Sequence, residues 1–258
     1  MSRKQADLLN DYHLLSFETL DSTNEEAKRL AAAGGGHGAV IWAKQQTKGK
    51  GRMGRSWVSD EGNLFVSVLL QPEKPLSEAS QLSFVAAVAM MESIEDMLPE
   101  GKQLRSKWPN DILVGDKKLG GILLESLQVP DGGKWVIVGV GINIESHPKK
   151  TEFPSTCLKK AGVELISAKI ILSRFIHHFI ERYNEWNAKG FSPVRAAWLE
   201  SAWGMGKQLT ARLPDEQITG IAEGINKDGA LILKTRDGKE RHILAADVFP
   251  AGRQKAEA

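Results

Sequence analysis

Two stretches of this chain combine residue types that could do chemistry. The first is Gln46-Thr47-Lys48-Gly49-Lys50-Gly51-Arg52-Met53-Gly54-Arg55-Ser56-Trp57, with three glycines and four cationic side chains in a dozen positions. Glycines let backbone N–H groups turn toward an anion, and Lys50, Arg52 and Arg55 can add charge-assisted hydrogen bonds to phosphate or carboxylate oxygens. Trp57 could stack on a base or cover an apolar ring. The run Gly49 to Gly54 satisfies GxGxxG, but Ser56 to Gly62 offers no helix to meet a pyrophosphate, and no GxxxxGK[ST] is present. A solvated basic loop explains the composition equally well.

The second stretch is Lys107-Trp108-Pro109-Asn110-Asp111. A lysine at a strand end before a restricted Trp-Pro pair can hold one ammonium in a fixed direction. The plain alternative puts Lys107 in solvent and Trp108 in the core. Other pieces are weaker alone. Ser22-Thr23-Asn24 reads as helix capping, through Ser22 with Glu25 or Thr23 with Glu26, although the same polar atoms could hold an amide-like ligand. Gly120-Gly121 and Gly139-Val140-Gly141-Ile142-Asn143 place glycines in strands, where they admit a ligand or another backbone.

Several chemistries find no support. The six histidines include no HExxH, His177 and His178 are adjacent and diverge on a helix, and no metal site is expected. GxSxG is absent. The single cysteine, Cys157, excludes an internal disulfide, fits a reducing cytoplasm and reads as packing. With 34 Lys and Arg against 32 Asp and Glu, the net charge of +2 gives no global attraction to nucleic acid or membrane. No stretch approaches the ~20 apolar residues of a membrane span.

The elements that must position these residues follow from periodicity. His13–Leu20 is short and apolar, Glu25–Ala31 reads as a capped helix ended by Gly34-Gly35-Gly36, and Ala39–Ala43 is a buried strand leading into a loop from Lys44 to Trp57. Leu64–Leu70 is a strand, and Ser77–Leu98 a long half-buried helix. Ile112–Val114 and Ile122–Leu124 flank a hairpin turn, and Trp135–Ile144 is another strand. Glu145–Gly162 reads as a mobile connection, followed by helices over Ser167–Trp186 and Pro193–Trp203. Beyond Gly204, short alternating strands predict a small antiparallel barrel. The expectation is an α+β fold, a mixed β-sheet flanked by helices over 1–203 and a small C-terminal antiparallel β-barrel over 204–258.

Taken in order, Ser22-Thr23-Asn24, Gln46 to Trp57, KWPND, Lys118-Leu119-Gly120-Gly121-Ile122 and Gly141-Ile142-Asn143 resemble the biotin protein ligase family through nearly the whole chain. Ile225 to Leu231 is similar to that family's small C-terminal domain. The resemblance implies formation of biotinyl-5′-AMP from biotin and ATP with Mg²⁺, then transfer of biotin to a lysine of a biotin carboxyl carrier protein or domain. It implies Arg52 and Lys107 as catalytic cations. Ser22, Thr23, Asn24, Gln46, Lys50, Gly51, Arg52, Lys107 and Gly121 would hold biotin. Gly49, Lys50, Arg52, Arg55, Trp57, Lys107, Asn110, Ile142 and Asn143 would hold ATP or the adenylate. Lys50 departs from the family, which usually carries an arginine there, so a point charge replaces a bidentate fork. The segment before Ser22 is too short for a helix-turn-helix, so no DNA partner or repressor activity is expected, and no membrane partner either. The resemblance does not decide between monomer and homodimer. Two rivals remain: a lipoate or octanoyl ligase, and a binding module such as a biotin-responsive regulator or an RNA-binding protein.

Overall fold

The computed structural model describes the backbone of residues 4–7 and residues 11–129, 133–164 and 166–252. Its centre is an eight-stranded sheet. The strands are β1 (Lys4–Asp7), β2 (His13–Leu20), β3 (Ala39–Gln46), β4 (Leu64–Leu70), β5 (Leu104–Lys107), β6 (Asp111–Val114), β7 (Lys117–Gln128) and β8 (Lys134–Ile142). They lie in the order β1-β2-β3-β4-β8-β7-β6-β5. Helix α1 (Thr23–Ala32) connects β2 to β3, and this crossover makes them the sheet's parallel pair, whereas the other neighbours are antiparallel.

Both faces of the centre are covered, so β4 is buried at every position and reads as one apolar run. The period of two still assigns its side chains. Leu64, Val66, Val68 and Leu70 join the larger core, whereas Leu69 joins a smaller one with Ala27 and Ala31 of α1. On β8 the same alternation sends Val136, Val138, Val140 and Ile142 to the larger core, which leaves Gly139 and Gly141 on the α1 face. Register then places Gly121 opposite Gly141 and Leu123 opposite Gly139 on that face. Small residues there leave room beside the start of α1.

The larger core lies under α2 (Leu82–Ile94), α4 (Ala168–Lys189) and α5 (Phe191–Glu200). The expected half-buried helix over Ser77–Leu98 is corrected twice. Leu76–Gln81 and Glu95–Met97 are 3₁₀ turns, and α2 between them is buried everywhere except Glu92, because α4 and α5 cover the side that the sheet does not. The connection after β8 is also more structured than expected. Asn63 Oδ1 accepts from the amides of Ile144 and Glu145 at 2.7 and 3.0 Å, Pro154 and Thr156 hydrogen-bond Lys118 of β7, and α3 (Leu158–Ala161) follows. A single side chain, distant in sequence, replaces the regular pattern that the composition lacked.

The C-terminal strands β9 (Gln208–Arg212), β10 (Gln217–Ile225), β11 (Leu231–Lys234), β12 (Glu240–Ile243) and β13 (Asp247–Pro250) form an antiparallel sheet in the order β12-β11-β10-β9-β13. This is the expected small antiparallel unit, five strands whose edges β12 and β13 are not paired with each other among the described residues. It is seated firmly: Trp108 Nε1 donates to Gly229 O at 2.9 Å, Arg195 Nε donates to Ile225 O at 2.7 Å, and Leu209, Ile218 and Leu231 join the larger core. Among the described residues no helix is long and apolar enough to cross a membrane.

Candidate active site

The start of α1 does not cap itself. The Ser22 side chain makes no capping hydrogen bond, and Thr23 Oγ1 points to Gln46 Oε1 at 3.2 Å, so the expected capping box is absent. These buried polar atoms instead form a network with neighbouring strands. Gln46 Oε1 also accepts from the Thr23 amide at 2.8 Å, and Gln46 Nε2 donates to Ser59 Oγ at 2.9 Å, which sets the orientation of the Gln46 amide. Ser67 Oγ lies 2.7 Å from Thr23 Oγ1 and 2.6 Å from Asn24 Oδ1, and Asn24 Nδ2 donates to Glu125 Oε2 at 2.8 Å. Asn24 occupies the space left by Gly139, where a Cβ would come within 2.3 Å of its Oδ1.

The glycine-rich loop begins after Gln46, three residues later than expected, because β3 continues to that point. Thr47 N and Lys48 N donate to Leu20 O and Asp21 O, fixing its root. Gly49 is required for close approach: a Cβ there would lie 2.3 Å from Ser59 Oγ and 2.4 Å from Trp57 O. The chain then folds over itself, with Gly51 N donating to Arg55 O at 2.7 Å and Trp57 N to Gly49 O at 2.9 Å. Met53 at the tip has φ 55, a left-handed value uncommon for a side-chain-bearing residue. Trp57 covers Gly141, whose absent Cβ would sit 2.7 Å from the indole Nε1.

Lys107, at the end of β5, is 5% exposed, so the solvent-facing alternative for it is wrong, while Trp108 is buried as expected. The ammonium is tolerated because Asp111 Oδ2 lies 3.6 Å away and Phe153, Phe249 and Trp203 present ring faces at 4.7, 5.7 and 5.9 Å. Asp111 also pairs with Lys118 at 2.6 Å. Burial pushes the Lys107 ammonium below the usual lysine range, with Asp111 opposing that shift. Burial alone would raise the Asp111 carboxyl, but Lys118 and Lys107 hold it below the usual carboxylate range. Arg52 reaches this hairpin from the loop, donating from Nη1 to Asn110 Oδ1 at 3.0 Å, and Asn110 Nδ2 donates to Ile122 O at 2.6 Å.

Most of these groups border one cavity of about 270 Å³ on the α1 face of the sheet. It brings together Ser22, Thr23, Asn24, Gln46, Lys50, Gly51, Arg52, Arg55, Trp57, Lys107, Asn110, Gly121 and Asn143. Two expected residues lie outside the lining. Ile142 faces the larger core, on the opposite side of β8 from Gly141, and Gly49 is packed against Ser59 and Trp57. Asn143 lines the cavity, yet its amide donates to Thr156 O at 3.0 Å and so braces the segment before α3. Chemically, the cavity offers a neutral polar end and an end where cations from three segments meet.

Residues 16–143 match the biotin/lipoate A/B protein ligase family, and residues 204–249 match the biotin protein ligase C-terminal domain. The bifunctional ligase/repressor of Bacillus subtilis (strain 168) is 37% identical over 243 residues, which cover 92% of this chain and 73% of that protein. The biotin–[acetyl-CoA-carboxylase] ligase of Paracoccus denitrificans is 36% identical over 237 residues, or 90% of this chain and 98% of that one. The chain belongs to the biotin protein ligase family. Its fold agrees with a biotin protein ligase from Aquifex aeolicus solved with biotin and ATP, at TM-score 0.79 and 27% identity over 92% of this chain and 99% of that one.

In this biotin protein ligase family member, the cavity also contains residues that the sequence reading did not select. Lys118 and Asp111 join Lys107 in a partly buried charge cluster, Asp247 and Phe249 enter from β13, and Glu152 and Phe153 from the connection after β8. Ser67 and Glu125 stand behind Asn24. Asp111 and Lys118 lie within stretches that the sequence singles out without giving them a role, and a polar Ser67 inside the otherwise apolar β4 is a further local signal.

Proposed function

We propose that this ligase forms biotinyl-5′-AMP from biotin and ATP and transfers the biotinyl group to a lysine of a biotin carboxyl carrier protein or domain. The convergence of Arg52, Lys107 and Lys118 on one cavity with a neutral polar end carries the reading. In this assignment Ser22, Thr23, Asn24 and Gln46 hold the ureido ring, where both donors and acceptors are needed. The apolar tail crosses the glycine face of β7 and β8 under Trp57, and the carboxylate reaches the cations.

A carboxylate and a triphosphate repel each other until positive charge offsets both. Arg52, Lys107 and Lys118 supply that charge from fixed positions, and the same donors stabilise charge that develops on the α-phosphoryl oxygens. One carboxylate oxygen forms a bond to the α-phosphorus as the bond to the bridging β-phosphate oxygen breaks, and pyrophosphate leaves. The deprotonated amine of the acceptor lysine then attacks the acyl carbon, AMP departs with the carboxyl oxygen, and the amine's remaining extra proton passes to water. Arg55 and Trp57 keep the loop closed over the anhydride and exclude water.

Mg²⁺ is assigned to the ATP. Among the described residues no group of three or more His, Cys, Asp or Glu is placed to hold a metal, so triphosphate oxygens and water would supply its ligands. We read residues 1–203 as the substrate-holding unit and 204–258 as a smaller unit that contributes Asp247 and Phe249. The sole thiol, Cys157, fits a reducing cytoplasm.

Exchange of labelled pyrophosphate into ATP tests the proposal. Exchange is expected with biotin, and exchange with lipoate or octanoate but not biotin would reject this acid in favour of the rival ligase.

A further inference from the structure

The polar end of the cavity and the glycine-rich loop are joined by charged groups that no step above uses. Lys50 Nζ lies 2.7 Å from Glu25 Oε1, and the same oxygen lies 2.8 Å from Lys28 Nζ. Lys28 Nζ lies 2.6 Å from Glu125 Oε1, and Glu125 Oε2 accepts from Asn24 Nδ2 at 2.8 Å. Two ammonium groups and two carboxylates therefore alternate from the loop, through the first turns of α1, to β7 and an amide in the cavity wall. The spacing of Asn24, Glu25 and Lys28 puts all three on neighbouring faces of α1. Glu26, next in sequence, turns instead to Arg29 at 2.6 Å on the outer side. Side-chain exposure of 28% for Glu25, 31% for Lys28 and 25% for Glu125 places these pairs between surface and interior, where their interaction exceeds that of free surface pairs.

We propose that Glu25, Lys28 and Glu125 form a positioning relay that couples the biotin-holding end of the cavity to the loop that receives carboxylate and phosphate. The inference rests on the assignment of biotin and ATP to this cavity. An anion reaching the loop draws Lys50 away from Glu25. Lys28 then shifts its charge toward Glu25 and away from Glu125. Glu125, freed from that competing donor, binds the Asn24 amide more strongly, and Ser67 holds the other end of the same amide. Occupancy of the loop thereby stiffens the polar end, and linkage requires the same factor in the reverse direction. Lysine suits position 50 because a single ammonium on a flexible stem can move between a carboxylate and an incoming anion, whereas a planar guanidinium is committed to a fork.

Calorimetric titration of biotin, with and without an ATP analogue carrying a methylene bridge between the α- and β-phosphorus, measures the coupling. The wild-type protein should bind biotin about fivefold or more tightly when the analogue is present. Lys28→Met and Glu25→Gln, which cut the chain at different links, should each bring that ratio close to one, and Lys28→Arg should restore most of it. A merely structural role would change both titrations alike and leave the ratio as in wild type. Wild-type ratios in both cutting variants, or a wild-type ratio near one, would overturn the relay while leaving the substrate assignment standing. Absence of biotin binding to the wild-type protein would remove that assignment and the relay with it.

Discussion

Lys107 is a cation held where cations are expensive. Removed from water, its ammonium depends on Asp111 and on three aromatic faces, and burial still lowers its affinity for a proton. The unfolded chain therefore binds that proton more tightly than the folded one. Lys107 costs stability at neutral pH, and the cost disappears as pH rises from the lowered native value to about 10.4, the free lysine value. In the proposed mechanism activity runs the other way, since the charged form is the one that would offset carboxylate and phosphate. The kcat/KM of biotin-dependent exchange, which reports the free enzyme, should fall on an alkaline limb below the usual lysine range. Lys107→Arg should remove that limb whatever its absolute rate, because a guanidinium stays charged there. A limb that persists unchanged in Lys107→Arg would assign the titration to another group. The residue type and its strand-end position were legible in the sequence. Its burial was not, because that depends on rings from Phe153, Trp203 and Phe249 far along the chain.

At the scale of elements, the glycines of β8 decide the shape of the site. Gly139 and Gly141 share one face of the strand, and the room they leave is filled by Asn24 and by Trp57. Adding a methyl group at Gly139 forces Asn24 to move, since the new carbon would lie 2.3 Å from Oδ1 and Ser67 and Glu125 hold the amide on both sides. Overpacking of this kind costs about 1–3 kcal/mol, so Gly139→Ala should weaken biotin binding by roughly fivefold to 150-fold. Calorimetry with biotin alone measures it, and unchanged affinity would mean that Asn24 is not part of the recognition end. The strand positions of both glycines, and that they admit something close, could be read from the sequence. What they admit could not, because a period of two gives the face but not the neighbour across it. The same limit explains why α2 was expected to be half-buried: its apolar residues fit a helical period, but the covering by α4 and α5 is a tertiary fact.

For the whole molecule, the C-terminal sheet is part of the site rather than an appendage to it. The change of pattern beyond Gly204 was visible in the sequence, and the five strands follow it. The return of β13 to the cavity has no local signature, since the Arg55–Asp247 contact spans 192 positions. Asp247 Oδ1 accepts from Arg55 Nη2 at 2.9 Å and lies 4.0 Å from Arg52 Nη1, so one carboxylate ties the loop to the last strand of the molecule. Arg55 is about half exposed, which limits this tie to the range of surface pairs, about 0.2–1 kcal/mol. Asp247→Asn should therefore speed release of biotinyl-5′-AMP by no more than about fivefold at low ionic strength. The difference from wild type should shrink as salt screens the pair. Asp237→Asn, on an exposed turn of the same sheet, should leave release at the wild-type rate. Equal release from wild type and Asp247→Asn at low salt would show that closure of the loop does not depend on the tie to β13, with the C-terminal sheet serving only to cover Lys107.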